Sequence, residues 1–265
     1  MRDVIRRWPV TSFAVLACGF TWAWVLPFVF TGRVVHPGVG WPTHFPGLLG
    51  PAVAAIVVTA VADGRSGLLA LRRRVLRWRQ PRQVWGLVLA TTVGVGAIAA
   101  LVTGGISYSG LSRFSGLPAG SPALTLLLLI TVNGFGEEIG WRGFALDRLR
   151  TRHGPIAASL LVALPWAVWH LPQFWLLASY RDLGLVGVPG FLLGLVAGAI
   201  VLGWLYEWSG RSVPVVAVWH GLYNWVVATD GGGPAVAGAV TALVMIAAVA
   251  ICWFGRRKTG ASLSR

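Results

Sequence analysis

Apolar residues run in long stretches from one end of this chain to the other, interrupted by clusters of Gly, Pro and Arg. A helix needs about 20 such residues to cross the hydrocarbon core of a bilayer. On that measure the pattern predicts eight helices, over residues 8–30, 46–62, 84–104, 121–149, 156–178, 190–208, 213–229 and 234–254. The second and seventh are short for a span. The connections are too short to hold a second domain, so the expected fold is one all-α polytopic membrane helix bundle over 1–265.

Composition agrees with this pattern. Hydrophobic residues make up 56 % of the chain and charged residues 11 %, with a mean hydropathy of +0.72. Soluble domains carry roughly 25 % charged residues. The 15 Trp suit the headgroup level, where an amphipathic ring is favoured. Cys18 and Cys252 sit in separate apolar segments, which argues against a disulfide framework or a thiolate metal site.

The net charge of +14 does not indicate nucleic acid, because the basic residues are almost all Arg and lie between the spans. There they fix topology and contact anionic lipid, the Arg-rich stretch 65–82 above all. Of the 22 basic residues, Arg33, Arg113 and Arg181 fall outside if the N-terminus is cytoplasmic, and Arg142 falls within a span. The other 18, from Arg2 to Arg265, collect on the cytoplasmic side. This asymmetry predicts that both termini of a multi-pass cell-membrane protein are cytoplasmic. Three Arg, an apolar stretch and Ala17-Cys18 also resemble a lipoprotein signal. The apolar run continues to Phe30, however, which is too long for a signal core and favours a first span.

Against this background the polar residues inside the spans stand out. Glu137 and Glu138 are adjacent in the fourth span, in a chain with eight acidic residues. One ionisable side chain at membrane depth costs about 2.5–3.5 kcal/mol, and two together repel unless a cation, a shared proton or a metal compensates. Arg142 lies one turn after Glu138 on the same face, while Glu137 is rotated by about 100° from it. His170 sits in the fifth span; His220 and Asn224, four apart, share a face of the seventh. At 1.5 Å per residue, Glu138 lies about 16 Å from the cytoplasmic end, His220 and Asn224 about 10–16 Å, and His170 about 21 Å. These depths are compatible with one shared site, expected to be a polar cavity opening toward the cytoplasm. Ala-Val-Trp-His occurs twice, at 167–170 and 217–220, so the two imidazoles are candidates for similar surroundings. Bland readings stand beside these: a structural Glu138–Arg142 ion pair, interhelical hydrogen bonds for each His, and packing glue for Asn224. His36, His44 and His153 fall in loops. Pro165 and Pro172 flank His170 and are expected to loosen the helix, freeing carbonyls for a peptide substrate.

A carboxylate with two imidazoles, here Glu137, His170 and His220, is a competent ligand set for Zn²⁺ with room for a water. Metal-bound water can attack a peptide carbonyl. The same groups also allow a metal-free route, with Glu and His170 activating water while His220 and Asn224 donate to the oxyanion. The H-E-x-x-H helix of familiar zinc proteases is absent.

At these residues the sequence resembles the CPBP family of intramembrane endopeptidases, which includes the type II CAAX prenyl proteases and bacteriocin self-immunity proteins. The family's motifs E-E-x-x-x-R, F-x-x-x-H and H-x-x-x-N/D read here Glu137-Glu138-x-x-x-Arg142, Trp166-x-x-x-His170 and His220-x-x-x-Asn224. They span a core of about 121–229. Trp166 replaces the usual Phe, a change expected to alter pocket shape rather than chemistry. The resemblance implies an endopeptidase in which Glu137 and His170 activate water and His220 and Asn224 stabilise the oxyanion or complete a metal site. Glu138 and Arg142 would orient the catalytic group or receive the substrate terminus. The implied substrate is a membrane-associated peptide or protein. The alternatives are a catalytically silent scaffold of the same fold and a small transporter; no inverted repeat of helical segments supports the latter. Arg outnumbers Lys by 21 to 1, which points to a GC-rich bacterial genome and away from free prenylated substrates.

Overall fold

The computed structural model describes the backbone of residues 2–260 and the side chains of residues 2–254. Eight apolar helices carry the fold, and no β-strand occurs among the described residues. They are α1 (Pro9–Phe30), α2 (Phe45–Ala62), α3 (Arg82–Thr103), α4 (Pro122–Leu149), α5 (Pro155–Leu176), α6 (Gly184–Trp208), α7 (Val213–Val227) and α8 (Gly233–Gly260). Seven contain a stretch long and apolar enough to cross a membrane; α7, with 15 residues, is shorter. The chain is a multi-pass all-α membrane protein, and the expected helices match the observed ones closely.

The helix starts are encoded locally. Pro occupies the first turn of α1, α2, α4, α5 and α7, where its missing N–H leaves no bond unmade. Ser212 caps α7 by accepting from the Val215 N–H. The sixth helix is expected from 190, yet α6 begins at Gly184 and carries Pro189 inside it. Cys18 lies in mid-helix in α1, which packs Phe13, Ala17 and Val25 into the interior.

Contacts between the connections show which loops share a side. On one side, Arg148 pairs with Asp63, Arg74 and Arg211 pair with Asp147, and Arg150 pairs with Glu207. Arg6 reaches the Val61 carbonyl there as well. On the other side, Arg113 pairs with Asp230, and backbone bridges join Val35 to Leu177, Pro37 to Ser115 and Phe114 to Thr229. This is the alternation that eight spans require, and it gathers the Arg-rich loops on one face. Arg265 and the side chains of Arg256, Arg257 and Lys258 lie outside the described residues. The stretch 65–82 contains an amphipathic helix, Gly64–Val75, that buries Leu71 and leaves Arg65, Arg72 and Arg73 exposed.

The centre of the bundle is α4, held between α2 and α7. Gly134 meets the Ala217 carbonyl of α7 so closely that a Cβ would collide with it, and at Gly140 a Cβ would lie 2.6 Å from Pro51 Cβ. Small residues let helix backbones approach where lipid offers no hydrophobic drive. Two π-helical turns, Leu129–Gly134 and Trp141–Leu146, flank the regular turn and a half Phe135–Gly140 that carries the glutamates. Such turns re-aim side chains and recur at functional sites.

One loop histidine is buried. His44, just before α2, is 3 % exposed, and burial lowers its pKa to about 4 from the usual 6.5. The unfolded chain therefore binds more protons than the folded one between about pH 4 and 6.5. This contribution to stability is complete above 6.5 and is lost as the pH falls toward 4. Thermal melts of the detergent-solubilised protein should show acid destabilisation approaching about 1.4 kcal/mol per pH unit in this window, and His44→Gln should flatten it. An unchanged slope in the variant would assign the acid sensitivity elsewhere.

Candidate active site

The structure brings Glu137, Glu138, Arg142, His170, His220 and Asn224 to one place among α4, α5 and α7. Glu137 and Glu138 are at most 2 % exposed, as is Arg142, while His170 is 9 % and His220 6 % exposed. Asn224 is half-buried.

The two glutamates serve separate networks, as their different helical directions require. Glu138 Oε1 accepts from Arg142 Nη1 and from His220 Nδ1, both at 2.8 Å. This holds the His220 ring in one orientation and leaves Nε2 as its other polar atom. Glu137 Oε1 accepts from Asn133 Nδ2 at 2.6 Å, and Oε2 accepts from Trp166 Nε1 at 2.7 Å. Asn133 Oδ1 in turn accepts from Asn224 Nδ2. Asn224 thus reaches Glu137 through Asn133, a residue that sequence reasoning missed although its i−4 spacing from Glu137 was visible.

Trp166 is the hub of the site. Its indole N–H holds Glu137, its carbonyl accepts from His170 Nδ1 at 2.7 Å, and the Arg142 guanidinium lies 4.5 Å from its ring centroid. Both imidazoles flank the same ring, each at 5.8 Å between centroids. The Phe-to-Trp departure therefore changes chemistry as well as shape, because Phe has no N–H for the carboxylate. The repeated Ala-Val-Trp-His is reflected in matching anchors: Trp169 donates to Thr21 Oγ1 and Trp219 to Thr91 Oγ1.

Helix α5 stops being regular at His170, ahead of Pro172. The carbonyls there are already occupied, however: Trp166 O by the His170 ring and Trp169 O by Trp22 Nε1. They do not form the open edge expected for a substrate. His170, the most exposed of the buried charged and imidazole groups, is covered by Tyr180 and Phe191, which join Phe174 in an aromatic cluster.

The residues present do not fit a metal ion as arranged. Among the described residues no three His, Cys, Asp or Glu side chains converge as a ligand set. Each Glu137 oxygen accepts one N–H, from Asn133 and from Trp166.

A buried carboxylate–imidazole–amide site inside a multi-pass bundle has the groups that general acid–base chemistry on water requires. Comparison with known proteins finds similarity to membrane endopeptidases. Residues 119–226 match the family described as Rce1-like type II CAAX prenyl endopeptidases. The chain is also 22 % identical over 208 residues to the CAAX prenyl protease 2 of Methanococcus maripaludis, covering 74 % of this chain and 76 % of that protein. Both similarities are to CAAX-type prenyl endopeptidases, and the matched residues 119–226 are the part of the chain, α4 to α7, that carries the site.

Proposed function

We propose that this enzyme hydrolyses a peptide bond of a membrane-associated protein or peptide, with Glu137 as the water-activating base and without a catalytic metal. The observation that carries this reading is the double hold on Glu137, whose two oxygens each receive one N–H donor. Each oxygen keeps a further lone pair for a water, so the carboxylate is fixed without being used up. His170, with Nδ1–H committed to the Trp166 carbonyl, presents Nε2 as an acceptor that helps align the water. The attacking oxygen adds to the scissile carbonyl as its proton passes to Glu137. The oxyanion is stabilised by His220, whose ring Glu138 orients through Nδ1, and by the second N–H of Asn224. The proton held on Glu137 then goes to the leaving amine. Arg142 acts through Glu138.

Zinc is the competing reading of the same residues. Ligation by Glu137, His170 and His220 would require the three side chains to converge on one point, which they do not do as arranged. Cleavage of a membrane-peptide library by the purified enzyme in lipid should therefore survive chelator treatment, with no stoichiometric zinc in the protein. Activity lost to chelator and restored by Zn²⁺ would overturn the metal-free route.

Trp166→Phe tests the hold directly, since it restores the family's usual residue and keeps an aromatic ring. A hydrogen bond to a charged group contributes about 1.5–3 kcal/mol. We expect kcat to fall about 10- to 100-fold with KM nearly unchanged. A KM effect with kcat intact would reduce Trp166 to a pocket wall. The same assay tests the silent-scaffold alternative, which predicts no cleavage by the wild type.

A further inference from the structure

Away from the site, the Arg-rich face holds a cavity of about 320 Å³ where the start of α1 meets the end of α4 and the α4–α5 turn. Arg6, Arg7, Trp8, Arg148, Arg152 and His153 line it, and none of its lining residues is acidic. Arg148 spends its charge on Asp63. Among the described residues, Arg6, Arg7 and Arg152 make no ion pair; Arg6 uses Nε on the Val61 carbonyl, and Arg7 lies 5.7 Å from the Trp8 ring centroid. The walls are fixed rather than loose. Arg150 Nη1 donates to the His153 carbonyl at 2.6 Å, and Thr151 Oγ1 donates to the Arg148 carbonyl at 2.7 Å.

Three unpaired guanidinium groups converging on one concave surface repel each other unless an anion lies between them. The cavity's position limits which anion that is. It opens where α1 and α4 leave the apolar region, beside the exposed indole of Trp8, the level at which lipid headgroups lie. Basic pockets between helices on the cytoplasmic side bind the phosphates of anionic lipids, and Arg offers a fork that matches two phosphate oxygens. We infer that this cavity is a binding site for the headgroup phosphate of an anionic phospholipid, seated among Arg6, Arg7 and Arg152, with its acyl chains running along α1.

The test is native mass spectrometry of the full chain in detergent with phosphatidylglycerol, phosphatidylcholine or inorganic phosphate added. Wild type should retain one phosphatidylglycerol in preference to phosphatidylcholine, and millimolar inorganic phosphate should not displace it. Arg7→Gln and Arg152→Gln remove exposed side chains without ion partners, so both should fold with unchanged melting temperatures. Each should weaken lipid retention about five-fold, while Arg181→Gln on the opposite face should not. Equal retention of phosphatidylcholine, or retention unaffected by Arg7→Gln with Arg152→Gln, would overturn the site. Displacement by inorganic phosphate would overturn the lipid as its occupant.

Discussion

Glu137→Gln is expected to lower kcat for peptide cleavage by about 10²–10⁴-fold, the range spanned by a positioned general base. The substitution keeps the size of the side chain and removes the base. It also leaves one N–H of the new amide facing either Asn133 Nδ2 or Trp166 Nε1, both of which are donors. A lost buried bond of this kind costs about 1–3 kcal/mol, so the variant should melt lower and still fold. His170→Ala should show the same kcat loss at smaller size, because it aligns the water and does not take the proton. Retention of more than a tenth of wild-type kcat by Glu137→Gln would remove Glu137 as the base. A variant with normal kcat and raised KM would make the carboxylate a substrate contact instead.

Most of this architecture was legible in the sequence because membrane depth makes local pattern decisive. Runs of apolar residues, first-turn prolines and the Arg asymmetry act within one segment or one loop, and the helices follow them closely. The start of the sixth helix was placed a few residues late, and Pro189 lies inside the observed helix. The six site residues were also visible, because an ionisable or amide group in lipid is costly wherever it stands. Their wiring was not. Depth along each helix showed that the six could meet, but the partner of each oxygen depends on rotation about the helix axis. The two π turns in α4 alter that rotation. Asn133 was thus overlooked as an ordinary polar residue, and Trp166 was read for its ring rather than its N–H. The aromatic cover on His170 comes from Tyr180 and Phe191, where the pattern gave only a loop and a helix start.

Arg142→Leu should destabilise the protein by about 3–5 kcal/mol, the cost of leaving a buried carboxylate without its cation. Glu138 is fully buried and its Oε1 then has only His220 as a partner, while the Trp166 ring loses the guanidinium beside it. Glu138→Leu in the same background should recover part of that loss, because replacing both members of a buried pair with apolar groups is often neutral or stabilising. Melting temperatures of the two single variants and the double should therefore be strongly non-additive, and additive losses would show that the pair is not coupled. Activity separates from stability at this point. In the double variant His220 has lost the acceptor that fixed its Nδ1–H, so its ring no longer holds one orientation toward the oxyanion. The double variant should be more stable than Arg142→Leu and still as inactive. If it regained cleavage along with stability, the Glu138–Arg142 pair would be structural support alone, and His220 would act without it.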